Sequence, residues 1–126
     1  MVLGIGIDII EINRIKKSVD RFGERFLNKI YTEIELEYCL KKKNKYQHLA
    51  ARFAAKEAIY KALSNDTKEV YSWQDVEIYN EINGLPRVKF YGNLKDFLNQ
   101  GKELKISMSH SENYVTCVAI LFATSN

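Results

Sequence analysis

The run Arg52-Phe53-Ala54-Ala55-Lys56-Glu57-Ala58-Ile59-Tyr60-Lys61-Ala62-Leu63 sets a carboxylate and an ammonium one helical turn apart among small side chains. Residues four apart share a helix face, so Glu57 and Lys61 can reach one ligand. Ala54, Ala55, Ala58 and Ala62 admit the close approach of another backbone or of a substrate. Taken alone, Glu57 and Lys61 also read as an exposed ion pair that contributes only about 0.3 kcal/mol. Two further segments bear on the choice. Gly4-Ile5-Gly6-Ile7-Asp8-Ile9-Ile10-Glu11-Ile12-Asn13-Arg14-Ile15 puts a carboxylate near the end of an apolar run, and Ile106-Ser107-Met108-Ser109-His110-Ser111 sets one of the two histidines between serines.

These groups depend on the elements that carry them. Residues 2–9 are β-rich, and isoleucines at 5, 7 and 9 alternate as a strand does, leaving Asp8 on the other face. Asp8 there also suits a cap for the helix that follows. From Glu11 to about Phe22 the apolar positions 12, 15, 19 and 22 keep a helical period, with Arg14, Lys17 and Arg21 as a basic outer face. Thr32 and Glu35 make a capping-box start for a helix over about 33–43, whose Lys41-Lys42-Lys43 end reads as solvated. A long helix over about 46–63 carries Glu57 and Lys61, and Ser64-Asn65-Asp66 breaks it. Strands over 75–80 and 86–91 flank the turn Asn83-Gly84-Leu85-Pro86. A short helix over 93–100 stops at Gly101, and strands over 103–109 and 114–122 turn at Glu112-Asn113. About five strands and four or five helices make one α+β domain over residues 1–126.

A chain of 126 residues with 46% hydrophobic content supports a modest single core. Its net charge of +3 favours anionic partners without demanding nucleic acid. Cys39 and Cys117 have no paired spacing and read as buried free thiols instead of a disulfide or zinc site. No apolar run approaches the roughly 20 residues that span a bilayer, so the expectation is a soluble, intracellular protein. His48 reads as a structural histidine and Trp73 as a core anchor for the strand after it.

The three chemistry-bearing segments, in their order and spacing, resemble the 4′-phosphopantetheinyl transferases, specifically the short holo-[acyl-carrier-protein] synthase type. The likeness runs along nearly the whole chain. It implies a domain of about five strands packed against a long helix, assembling as a homotrimer with sites between subunits. The small-residue helix face is a candidate surface for that packing. The implied activity transfers 4′-phosphopantetheine from coenzyme A to a serine of apo acyl carrier protein, releasing adenosine 3′,5′-bisphosphate. The setting is cytoplasmic fatty acid biosynthesis.

That chemistry brings an oxygen nucleophile to a pyrophosphate, so positioning and a cation bridging the phosphate oxygens matter most. Magnesium suits the task, being held by one or two carboxylates plus substrate phosphates. The resemblance assigns Asp8 and Glu57 to it; Glu11, three residues on, either reaches the metal through water or simply starts the helix, and is left outside the metal's own ligands. Lys61 is expected to neutralise a phosphate oxygen or assist the leaving group. Lys56, about 100° round the helix from Glu57, is expected to meet another phosphate of the long ligand. Arg52 is expected at the 3′-phosphate, since a guanidinium fork matches phosphate oxygens. Ser109 and His110 match the family's nucleotide-contacting Ser-His segment, and Gly84 and Pro86 its Gly-x-Pro turn by the adenine. The serine proton goes either to Glu57 or to a magnesium-bound water held by Asp8. The face of Arg14, Lys17 and Arg21, extended by Arg25, complements an acidic carrier protein.

The segment 64–72 departs from the family's glycine-containing loop, so no contact is carried onto it. Three other readings compete. A nucleic-acid-binding module would use the 19 basic residues and 8 tyrosines, but 16 acids are spread among the bases and no RNP-like aromatic strand appears. A non-catalytic carrier-protein adaptor does not require Asp8, Glu57 and Lys61 to be retained. A magnesium-dependent hydrolase would cleave the same pyrophosphate without modifying a protein serine.

Overall fold

The computed structural model describes residues 1–64 and 71–124. Along the chain run β1 (Val2–Glu11), α1 (Ile12–Phe22), α2 (Glu24–Ile30), α3 (Glu33–Leu40) and α4 (Lys45–Leu63). A 3₁₀ turn (Trp73–Asp75), β2 (Val76–Asn80), β3 (Pro86–Phe90), α5 (Gly92–Leu98), β4 (Lys102–His110) and β5 (Tyr114–Ala123) follow. The architecture is α+β: an antiparallel sheet of order β1-β5-β4, a separate β2-β3 hairpin, and α4 laid across the larger sheet.

Glycine spacing sets how α4 meets the sheet. A Cβ on Gly4 would stand 1.9 Å from the Ala62 carbonyl oxygen, and one on Gly6 would stand 2.0 Å from that of Ala58. Only a side chain of hydrogen lets the strand backbone lie directly on the helix. Ala54, Ala55, Ala58 and Ala62 are accordingly fully buried within one chain. This corrects the expectation that the small-residue face packs between subunits, because β1 and β5 already cover it. The alternation in β1 turns Gly4, Gly6, Asp8 and the buried Ile10 inward and Ile5, Ile7 and Ile9 outward, the last three 60–65% exposed.

The other elements follow local signals with identifiable differences. Thr32 and Glu35 form the capping box, Thr32 Oγ1 accepting from the Glu35 N–H and Glu35 Oε1 from the Thr32 N–H. Helix α3 stops at Leu40, short of 43, because the Lys42 N–H turns back to the Cys39 carbonyl. Helix α2 has no counterpart in the periodicity reading; its seven residues are too few for a periodic signal, although Leu27 and Ile30 are buried. In the β2-β3 turn Gly84 adopts φ +86°, which the Asn-Gly pair anticipates. Cys39 and Cys117 are buried free thiols, held at about 11 and about 12 by burial. Trp73 stacks on Phe53 with ring centres 5.3 Å apart, packing beside the core as expected of an anchor.

Candidate active site

Asp8 and Lys61 meet because β1 lies against α4. Lys61 Nζ donates to Asp8 Oδ1 at 3.1 Å and to the Ile7 carbonyl at 3.0 Å. The Asp8 side chain is 17% exposed and that of Lys61 52%, so the pair sits at an accessible edge. Asp8 does not cap α1: the N-cap of that helix is Glu11, without a side-chain cap bond, and the Ile12 N–H goes to the Asn113 carbonyl. Glu57, one turn before Lys61, is half-buried. Burial holds its carboxyl above the usual carboxylate value, the Asp8 charge pushes the same way, and Lys61 opposes both. Two carboxylates and an ammonium therefore act on one another from strand and helix. Hard oxygen donors in this number fit a magnesium ion completed by phosphates and water. Among the described residues no group of three or more His, Cys, Asp or Glu gathers as a closed metal cage would require.

A second cluster surrounds Arg52, which is 3% exposed. Its Nη2 donates to Asn80 Oδ1 at 2.7 Å, and its guanidinium lies over the Tyr38 ring at 4.5 Å. Lys42 Nζ stands 4.6 Å from the centre of the same ring, and His48 meets it edge-on at 5.6 Å. The His48 imidazole is held below its usual value by burial, then by the positive charges of Arg52 and Lys42, with a smaller contribution from the neighbouring His110. Among the described residues no carboxylate forms a salt bridge with Arg52, so the cluster is net cationic. Such a cluster suits an anion. Asn80 Nδ2 donates to the Gly84 carbonyl at 3.1 Å, which joins the cluster to the Gly84–Pro86 turn.

The family model of the 4′-phosphopantetheinyl transferase superfamily matches residues 4–119. The chain belongs to that superfamily. It is 48% identical over 120 residues to the holo-[acyl-carrier-protein] synthase of Protochlamydia amoebophila, covering 95% of this chain and 98% of the relative. It is 42% identical to that of Koribacter versatilis, covering 96% and 98%. Among solved structures, the Neisseria meningitidis holo-[acyl-carrier-protein] synthase superposes with TM-score 0.86 at 31% identity, covering 97% of this chain and 99% of that one. The Helicobacter pylori synthase in complex with coenzyme A gives 0.80 at 31%, covering 94% and 99%.

Within this 4′-phosphopantetheinyl transferase, the expected site residues fall into separate groups. Asp8, Glu57 and Lys61 come together. Arg52, Gly84 and Pro86 come together elsewhere, since Arg52 projects about 140° round α4 from Glu57. Ser109 and His110 lie exposed at the end of β4, with His110 close enough to act electrostatically on His48. Arg14, Lys17 and Arg21 are exposed along α1. Lys56 departs from expectation: it is fully buried, 2.7 Å from Glu35, and it donates to the Ile30 and Trp73 carbonyls at 2.9 Å each. With three acceptors its ammonium is saturated, and it ties α2, α3 and the 3₁₀ turn to α4 instead of meeting a phosphate. Glu35 completes the knot by accepting from the Ile78 N–H at 2.8 Å.

Sequence reading missed Tyr38, Lys42, His48 and Asn80 as companions of Arg52. Lys42 sits in a run that resembles a solvated helix end, and nothing in the local pattern points from Asn80 to Arg52, 28 positions earlier. Glu11 accepts from Tyr114 Oη at 3.4 Å and lines a groove of about 490 Å³ beside α1. Residues 65–70 of the segment that departs from the family pattern lie outside the described residues.

Proposed function

We propose that this chain is a holo-[acyl-carrier-protein] synthase. It transfers the 4′-phosphopantetheine group from coenzyme A to a serine of apo acyl carrier protein, releases adenosine 3′,5′-bisphosphate, and depends on magnesium. The observation that carries this reading is the meeting of Asp8 and Lys61 beside Glu57 in a chain of this family. Asp8 and Glu57 hold the magnesium, whose charge, when bound, supplies electrophilic assistance at the pyrophosphate. The serine Oγ forms a bond to the β-phosphorus as the bond to the bridging oxygen breaks. Lys61 sits where it can neutralise charge gathering on the phosphate oxygens. The hydroxyl proton passes to Glu57, directly or through water.

Arg52, with Lys42 beside it, takes the 3′-phosphate, while Gly84, Pro86, Ser109 and His110 border the nucleotide. Arg52 and Glu57 point apart on one helix, so a single chain does not present both to one ligand. A homotrimer with sites between subunits does so, pairing the Arg52 cluster of one subunit with Asp8, Glu57 and Lys61 of another. Two features support the assembly. β1 is an edge strand, and its outward Ile5, Ile7 and Ile9 form an apolar face that needs cover. The acidic carrier meets the exposed Arg14, Lys17 and Arg21. We place the reaction in the cytoplasm, in fatty acid biosynthesis; no helix among the described residues is long and apolar enough to cross a membrane. The test is intact-mass spectrometry of an apo carrier incubated with the protein, coenzyme A and magnesium. Gain of one phosphopantetheine on the carrier supports the reading, and release of adenosine 3′,5′-bisphosphate with an unmodified carrier refutes it.

A further inference from the structure

Arg52 is oriented from two directions. The Tyr38 ring supports the face of its guanidinium at 4.5 Å, and the Asn80 amide takes one edge at 2.7 Å. Among the described residues Asn80 is its only hydrogen-bond partner, and the buried Nε has none. Asn80 is itself steered, since its Nδ2 donates to the Gly84 carbonyl at 3.1 Å. As the last residue of β2 it pairs with Pro86, so turn, amide and guanidinium form one unit. A neutral acceptor at this point fixes direction without cancelling charge. A carboxylate here would hold the guanidinium but offset its charge, and an alkyl group would leave the charge undirected.

We propose that Asn80 is a positioning residue that aims Arg52 at the 3′-phosphate of coenzyme A, and thereby sets the preference for coenzyme A over its 3′-dephospho form. This rests on the reading above that Arg52 takes that phosphate. Guanidinium recognition of phosphate needs alignment as well as charge, because two N–H groups must meet two oxygens. The two donors share the same pyrophosphate and pantetheine arm, so misaiming Arg52 weakens one donor and spares the other.

The test measures kcat/KM of the intact enzyme, with magnesium and apo carrier, for coenzyme A and for 3′-dephospho-coenzyme A. In Asn80→Ala the ratio of the two falls about tenfold, as expected for losing the alignment of one charged hydrogen bond, and the fall comes through KM for coenzyme A. Asn80→Asp lowers the ratio further, while thermal melts report whether each variant is folded. Arg52→Met separates the two layers. If Arg52→Met leaves the ratio at the wild-type value, the assignment of Arg52 fails. If Arg52→Met collapses the ratio while both Asn80 variants keep it, or lower both donors equally, Asn80 does not position Arg52.

Discussion

Lys61 Nζ bridges Asp8 Oδ1 at 3.1 Å and the Ile7 carbonyl at 3.0 Å, tying α4 to a strand more than fifty residues earlier in the chain. The ammonium is therefore fixed beside the carboxylate before any phosphate arrives. Such preorganisation is what electrostatic catalysis of phosphoryl transfer requires.

Asp8→Ala should remove most turnover, by about 100-fold or more, because it takes away a proposed metal ligand and the anchor of Lys61. The fold should survive, since the Asp8–Lys61 pair lies at the surface, where ion pairs contribute little. Carrier mass spectrometry reports the first effect and circular dichroism the second. Magnesium should raise the thermal midpoint of the wild type and leave that of Asp8→Ala in place.

Glu57 yields a pH signature in the metal-free protein. Its carboxyl titrates higher in the fold than in the unfolded chain, chiefly through burial and then through Asp8. The folded state thus binds that proton more tightly. The resulting stabilisation is complete below the unfolded-chain value and is lost as pH rises through the folded value. Melts of wild type and Glu57→Gln should therefore match best at acid pH, and the variant should gain relative to wild type as pH climbs through that window. A gap that narrows with rising pH contradicts the assignment.

Gly6→Ala should destabilise the fold by about 2–3 kcal/mol. The new Cβ would stand 2.0 Å from the Ala58 carbonyl oxygen and 2.8 Å from the Ala62 nitrogen, both backbone atoms that cannot swing aside. Urea titration should show a lower midpoint with an unchanged slope.

Ile7→Asp places a charge on the outward face of β1, away from α4. It should leave secondary structure intact, convert the assembly to monomers in sedimentation, and abolish most transfer. A fully active wild-type monomer would refute the trimer with shared sites.

Local signals made most elements legible. The Thr32–Glu35 capping box, the Asn83-Gly84 turn and the glycine-isoleucine alternation each act within a few residues and reappear in α3, the hairpin and β1. Glu57 and Lys61 were legible as one helix face because their one-turn spacing survives folding, whereas Asp8 was joined to them by the family resemblance and reaches Lys61 only in the folded chain. Helix α2 was not readable, being short and stabilised by packing more than by periodicity.

By itself the amino-acid order determined which groups are available and, over stretches of a turn or a strand, which side of an element each one shares. Tertiary structure alone decided their surroundings. Lys56 and Glu57 are adjacent, yet one is sealed by Glu35, Ile30 and Trp73 and the other stands at the candidate metal site. Arg52 draws its partners from Tyr38 and Asn80, on other elements. Burial and hydrogen-bond partnership come from neighbours distant along the chain, and no local spacing encodes them.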